Sequence, residues 1–177
     1  QENPQNVYSK SKLFSEKLFE DWAKLKPNRK VVSLRYFNVA GACKSGLLKE
    51  NIKKSENIFP SFFRSLKLNK PFKIYGYDYD TKDGTAERDY IHIKDLSISH
   101  ILALKNINNL NSFEIINLGN KKSYSVLEIV SYLNKILKNK KKIIFSSRRP
   151  GDVPIYIADN KYANFKLNWQ PRLDIKD

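Results

Sequence analysis

The 177 residues contain a single cysteine, no methionine and only two histidines. Cys43 alone excludes an internal disulfide, and one Cys with His92 and His100 is too few for a Cys/His zinc site. No apolar run reaches the ~18 residues of a membrane-spanning helix. The opening QENPQNVYSKSK lacks the positive-then-apolar pattern of a signal peptide. The cytoplasm is therefore the expected compartment. Glycine is scarce too: Gly41, Gly46, Gly76, Gly84, Gly119 and Gly151, with no two in G-x-G spacing. The strand, Gly-rich turn and helix that seat a dinucleotide pyrophosphate are thus not among these residues. The chain starts on a helical pattern with no strand before it, and reads as the later part of a larger protein.

What is present suits a packed domain. Hydrophobic residues make up 41% and aromatics 12%, enough to bury a core, which excludes wholesale disorder. The net charge of +15 raises a nucleic-acid reading. Two features count against it. The cations are mostly Lys, alongside abundant Asn, as a coding bias toward A and T would give on solvated faces. They also lack the aromatic interleaving of single-strand binders. No nucleic-acid or membrane partner is expected.

Periodicity gives alternating helix and strand. The spacing of Leu13, Leu18, Trp22 and Leu25 predicts a helix over about 7–25, stopped by Pro27 and Asn28. Residues 31–37 read as a strand, 38–55 as a loop, 58–68 as a helix and 72–75 as a strand. Residues 77–88 form a polar loop long enough to suggest a role. A helix over 96–105 and a strand over 113–118 follow. Ser125 with Glu128 predicts a capping box opening a helix striped by Val126, Ile129, Val130, Leu133, Ile136 and Leu137. Lys138 to Lys142 follow that helix. Residues 142–145 read as a strand, and Asp159 as the N-cap of a last short helix. The fold class is α/β.

Tyr8 and Lys12 form Y-x-x-x-K. Four apart on a helix, they share one face. An ammonium beside a phenol favours phenolate, and a tyrosine so tuned can take a proton from a hydroxyl while a hydride leaves the same carbon. A lone Y-x-x-x-K is weak in a Lys-rich chain; its context decides.

That context is a set of segments in fixed order: Y-S-K-S-K (8–12), V-V-S-L-R-Y-F-N-V-A-G-A (31–42), E-N-I-F-P (56–60), I-Y-G-Y-D-Y-D-T-K-D-G-T (74–85), R-D-Y-I-H-I-K-D-L (88–96), I-N-L-G (116–119), Y-S-V-L (124–127) and R-R-P-G-D (148–152). Together they resemble the UDP-glucose 4-epimerases of the extended short-chain dehydrogenase/reductase family over nearly the whole chain. The resemblance implies the trailing part of a Rossmann-type NAD-binding fold plus a smaller α/β substrate domain, with the Gly-rich N-terminal half absent. Residues 1–40 would end the NAD-binding domain. Residues 41–177 would be mainly the UDP-sugar domain, with about 90–105 returning to the first.

It also implies a reaction. A hydride passes from C4 of the hexose to bound NAD while Tyr8 removes the 4-hydroxyl proton. The keto sugar then turns over and takes the hydride back on its other face. Lys12 would hold the nicotinamide ribose, and Phe37 would lie against the cofactor. Asn38, Asn57 and Ile58 would contact the UDP-sugar, with Tyr75 by the uracil and Lys73 and Ile74 lending backbone. Arg88 and Arg149 would face the diphosphate, as planar guanidinium forks suit phosphate oxygens. Asp152 would bind the ribose, and Tyr156 would limit room around the sugar's 2-substituent. His92 reads as a structural hydrogen-bonder and Cys43 as a small inert side chain. The complete enzyme would be a homodimer. The chain departs from the family at Val7, Ser9, Glu56 and Ala86, and in the lysine-rich stretch 47–55. Another nucleotide-sugar epimerase or dehydratase, a basic polyanion-binding module and an inactive gene remnant stand as rivals.

Overall fold

The computed structural model describes residues 4, 6–43, 45–47 and 50–177. Residues 48 and 49 of the lysine-rich stretch lie outside the described residues. In chain order the elements are α1 (Val7–Lys24), β1 (Val31–Tyr36), β2 (Asn38–Ala40), α2 (Ile58–Lys67), β3 (Phe72–Tyr75), β4 (Glu87–His92), α3 (Ile93–Lys105), β5 (Phe113–Leu118), β6 (Ser123–Ser125), α4 (Val126–Ile136), β7 (Ile143–Ser146), β8 (Ile155–Tyr156) and α5 (Lys161–Leu167).

Three sheet pieces are formed. β1 pairs β5 in parallel, Val31 beside Phe113 through Tyr36 beside Leu118. β3 pairs β7 in parallel. β4 is the hub of the third: parallel to β2 and β8, antiparallel to β6. Two apolar cores result. One joins Ile91, Leu96, Ala103, Ile116, Leu118, Leu167 and Trp169; the other joins Phe62, Phe72, Ile74, Tyr90, Ile129, Val130 and Leu133. Successive strand residues point to opposite faces, so adjacent Tyr90 and Ile91 of β4 each enter a different core.

The Ser125–Glu128 capping box is present as expected, and α1 has its own: Asn6 Oδ1 accepts from the Ser9 amide at 2.9 Å, and Ser9 Oγ accepts from the Asn6 amide at 3.2 Å. The rhythm of Leu18, Trp22 and Leu25 does mark α1, but not as a buried face. Ala23 is the buried residue there, while Phe14, Leu18, Phe19, Trp22 and Leu25 are exposed.

Four short strands depart from the expected loops. β2, β6 and β8 are two or three residues long, too short to show a period. β4 was hidden by its charges, because Glu87, Arg88 and Asp89 look solvated, yet Asp89 is 0% exposed. α3 starts at Ile93, three residues earlier than periodicity suggests, because His92 Nδ1 caps it by accepting from the Lys94 amide at 3.0 Å. Asn160, not Asp159, occupies the N-cap of α5, although Asp159 accepts from the Lys161 amide at 3.0 Å.

The polar loop between β3 and β4 is a clamp on the start of α4. Asp83 accepts from the Thr85 amide (2.9 Å), the Thr85 hydroxyl (2.6 Å) and the Ser125 hydroxyl. Thr85 Oγ1 accepts from the Leu127 amide at 3.2 Å, and Lys82 pairs with Glu128 at 2.7 Å. Gly84 has φ +76°, and a Cβ there would run into the Tyr77 carbonyl, so the D-G-T turn requires glycine.

Glu16 ties α1 to β1, accepting from Arg35 Nε at 2.8 Å and the Ser33 hydroxyl at 2.5 Å. The Arg35 guanidinium, with help from Ser33 and against desolvation, holds this carboxyl below its ordinary value of 4.5. A carboxyl with a lowered folded pKa adds stability above its unfolded pKa and loses it as pH falls through the folded one. Glu16→Gln is therefore expected to lower the thermal midpoint at pH 7 and to leave it unaffected in strong acid. A wild-type-minus-variant difference that stays flat between pH 7 and pH 2 would show that the tie contributes nothing.

Candidate active site

β4 and the chain leading into β8 build the centre of the site. Arg88 of β4 lies opposite Tyr156 of β8. Its Nη1 donates to the carbonyls of Glu87 at 2.9 Å and Val153 at 2.8 Å, and its Nη2 reaches Asp152 at 3.4 Å. The guanidinium is thus aimed by backbone, and its one carboxylate contact among the described residues is loose. The neighbouring Asp89 carboxylate accepts from the amides of Asn120 (2.7 Å), Lys121 (3.1 Å) and Ala158 (3.2 Å), fastening β4 to both adjoining segments. Burial pushes its pKa up, and the three amides pull it back. Gly119 is required beside it, since a Cβ there would meet Asp89 and Ala158.

The two consecutive arginines are sorted by their partners. Arg148 donates to the Asp78 carboxylate at 2.8 Å and to the Asp78 carbonyl, and stacks 4.2 Å from the Tyr79 ring centre. It is a strut. Arg149 instead lies 4.1 Å over the Tyr75 ring and makes no ion pair among the described residues. Its amide–carbonyl turn to Asp152 closes at 3.2 Å. Lys73 also approaches the Tyr75 ring, at 5.8 Å. Arg88, Arg149, Asp152 and Tyr75 therefore converge, whereas the Ile74 side chain is 1% exposed in the core and offers only backbone.

Tyr8 and Lys12 lie on the first turns of α1, both exposed, with the ammonium 5.3 Å from the Tyr8 ring centre. Asn6, the N-cap two residues before Tyr8, sits against the Gly151 turn: a Cβ on Gly151 would come within 3.2 Å of the Asn6 Cβ. Gly151 takes φ +77°, so the approach depends on glycine. The helix start thereby abuts the turn that carries Arg149 and Asp152. Beside it, the Phe37 and Tyr156 rings stack at 4.3 Å with a 32° tilt. Asn38 follows in β2, opposite Tyr90.

Two expected residues stay outside this cluster. Asn57 is the N-cap of α2 and its side-chain Nδ2 donates to Glu50 at 2.6 Å; Ile58 packs on the second core. An apolar cavity of about 330 Å³ lies nearby, lined by Ala40, Glu50, Phe59, Phe63, Tyr90 and Ile175 among others. It does not include Arg88, Arg149 or Asp152. The sequence gives no role to Asp89, Asp78 or Tyr79, although Asp78 and Tyr79 stand in the 74–85 segment and Asp89 in the 88–96 segment.

Residues 1–119 match the model of the NAD dependent epimerase/dehydratase family. The chain belongs to this family. Within it, the chain is 38% identical over 171 residues to a UDP-glucose 4-epimerase of Lactobacillus helveticus, covering 96% of this chain and 52% of that protein. The fold superposes on the UDP-glucose 4-epimerase of Bifidobacterium longum, solved with NAD+ and UDP, at a TM-score of 0.88 and 36% identity, covering 99% of this chain and 52% of that one. A UDP-glucuronic acid 4-epimerase from Bacillus cereus, solved with UDP-glucuronic acid and NAD, gives 0.80 and 28%, covering 97% and 49%. The chain spans about half the length of the curated relatives it matches. Its α/β fold, with helices on largely parallel sheet pieces, is the one these family members share.

Proposed function

We propose that this chain is the substrate-holding and proton-transferring portion of an NAD-dependent UDP-glucose 4-epimerase. The observation that supports this reading is the contact of Asn6, at the start of the helix that carries Tyr8 and Lys12, with the Gly151 turn, which lies between Arg149 and Asp152 in the chain. In this reading Tyr8 takes the 4-hydroxyl proton of the hexose and later returns it. Lys12 favours the phenolate and holds the nicotinamide ribose. Arg88 and Arg149 hold the diphosphate, Tyr75 faces the uracil, and Asp152 accepts from the ribose hydroxyls. Asn38 and Asn57 contact the UDP-sugar, Asn57 after leaving Glu50, while Lys73, Ile74 and Ile58 border the uridine. Phe37 and Tyr156 wall the space between sugar and cofactor.

NAD, when bound, supplies the acceptor and donor of the C4 hydride. The residues present fit its nicotinamide end only: the exposed Tyr8–Lys12 face and Phe37 are here, but no pair of glycines in G-x-G spacing is. The 177 residues alone are therefore expected to retain no NAD and to show no epimerase activity. We assign residues 1–40 to the NAD-binding side and 41–177 mainly to the substrate side, with about 90–105 returning. That return is supported by the packing of α3 residues Leu96 and Ala103 with β5. Homodimerisation of the complete enzyme is supported by the exposed apolar stripe of α1. We place the protein in the cytoplasm on its family membership. Among the described residues no helix is long and apolar enough to cross a membrane.

UDP-glucuronic acid is the alternative hexose, given the Bacillus cereus relative. UDP titrated into the chain by calorimetry tests the clamp. Arg149→Ala is expected to weaken UDP roughly ten- to a hundredfold, as a charge-assisted contact is lost. An unchanged affinity removes Arg149 from the clamp. Binding of heparin that UDP cannot displace would favour the polyanion reading instead.

A further inference from the structure

Arg88 and Asp89 are neighbours on β4 and point to opposite faces of it, as successive strand residues do. Arg88 turns toward Asp152, whereas Asp89 is 0% exposed. The partners of its carboxylate among the described residues are the backbone amides of Asn120, Lys121 and Ala158. Burying a carboxylate costs free energy that a neutral side chain of the same size would not. Three converging N–H groups explain its presence. A carboxylate has two oxygens that only accept, whereas an asparagine would turn its NH2 toward one of the amides.

The segments that Asp89 joins are those of the cleft. Ala158 stands two residues past Tyr156. β8 has only two residues, so its ladder with β4 ends at Tyr156, opposite Arg88. The two residues before Asp89 hold the near end of the same stretch: the Glu87 amide donates to the Pro154 carbonyl at 2.8 Å, and Arg88 to the Val153 carbonyl at 2.8 Å. Glu87, Arg88 and Asp89 thus fasten residues 153–158 at three points, with Tyr156 between them and Asp152 at their edge. On the far side, Asn160 is 3% exposed and its Nδ2 donates to the Gly119 carbonyl at 2.8 Å. A Cβ on Gly119 would meet both Ala158 and the Asp89 carboxylate. The stretch after Asp152 is therefore wedged between β4 and the 119–121 segment, and Asp89 bonds to both of its neighbours there.

We infer that Asp89 is a positioning residue of the cleft: through the Ala158, Asn120 and Lys121 amides it fixes Asp152 and Tyr156 against Arg88, and it touches no ligand itself. The inference rests on the reading of the cleft given above and names what sets its geometry.

Asp89→Asn keeps the size of the side chain and removes one acceptor. The 177-residue chain, this variant and Leu133→Ala are to be compared by thermal midpoint and by UDP titration well below each midpoint. Leu133 belongs to the second core, so its truncation lowers stability while leaving the Asp89 bonds in place. The expected result is a lowered midpoint in both variants, UDP affinity weakened roughly tenfold in folded Asp89→Asn, as when a charge-assisted contact slackens, and UDP affinity kept in Leu133→Ala. Unchanged UDP affinity in folded Asp89→Asn would overturn the inference and leave Asp89 a residue of the fold alone. Equal weakening in Leu133→Ala would overturn it too, because lost stability would then account for the effect. If Asp89→Asn does not fold, Asn160→Ala decides, since it removes the second tie to the 119–121 segment and keeps the carboxylate. UDP bound roughly threefold more weakly supports the inference, and unchanged affinity overturns it. If the unaltered chain takes up no UDP, the reading of the cleft fails and the inference with it; that outcome is distinct, because it appears before any substitution is made.

Discussion

Tyr8→Phe is expected to lower kcat by about a hundred- to ten-thousandfold, the usual contribution of a positioned acid/base, in an enzyme completed by a Gly-rich dinucleotide-binding half. The reasoning is geometric. Tyr8 stands on the first turn of α1 with Lys12 on the same face, 5.3 Å from the ring centre. Both side chains are exposed, Tyr8 to 71%, so a substrate hydroxyl and a cofactor ribose can reach them. The phenyl ring of the variant keeps that contact with the ammonium and loses only the oxygen that accepts the proton. Among the described residues Tyr8 belongs to neither apolar core, and the helix is fixed elsewhere, by the Asn6–Ser9 box and by Glu16 with Arg35. KM for the UDP-sugar should therefore stay within a few-fold, because the clamp of Arg88, Arg149 and Asp152 is untouched. A variant with kcat near that of the parent would remove Tyr8 from the proton-transfer role. A variant whose KM rises while kcat holds would make Tyr8 a binding group instead.

The parts of this arrangement differ in how far the sequence reveals them. Long periodic elements are readable: α1, α2, β5 and α4 fall within a residue or two of where spacing and caps place them. The strands of the site are not. β4 carries Glu87, Arg88 and Asp89 in a row, a pattern that reads as a solvated loop. Only the fold shows that Asp89 is paid in three backbone amides and that Arg88 is aimed by the Glu87 and Val153 carbonyls. Likewise, Arg148 and Arg149 are equivalent as letters. Asp78 and Tyr79, some seventy residues earlier, make one a strut and leave the other over Tyr75. Long-range partners of this kind leave no local period. The ordered motifs mark segments that the fold brings together around Arg88 and Asp152, because each motif is short and its residues sit on one turn or strand. The exposed stripe of α1 shows the opposite limit, since periodicity identifies a helix without saying which of its faces this chain buries.

Tyr156→Ser is expected to change which sugars the completed enzyme accepts. Tyr156 lies opposite Arg88 on β8 and stacks on Phe37 at 4.3 Å. In the proposed reading, with Arg88 on the diphosphate and Phe37 against the nicotinamide, the hexose lies beside this ring. A phenol there crowds an N-acetyl group at C2, and forcing a packed wall aside costs about 1–3 kcal/mol. If that strain is felt in the transition state, UDP-glucose is preferred over UDP-N-acetylglucosamine by roughly ten- to several-hundredfold in kcat/KM. Tyr156→Ser should bring the two values together, mainly by raising activity on the N-acetylated sugar. The stack with Phe37 is lost in the same variant, at about 0.5–1.5 kcal/mol, so a somewhat lower thermal midpoint is expected whatever the ring's role. The midpoint therefore decides nothing, and the ratio of the two activities decides the matter. Tyr156→Phe serves as the control, because it keeps ring volume and the stack; its ratio should match the parent. If Tyr156→Ser lowers the midpoint while the ratio stays at the parental value, the ring packs against Phe37 without gating the sugar. The clamp of Arg88, Arg149 and Asp152 would stand unaffected by that result, since none of those residues depends on the Tyr156 side chain for its partners.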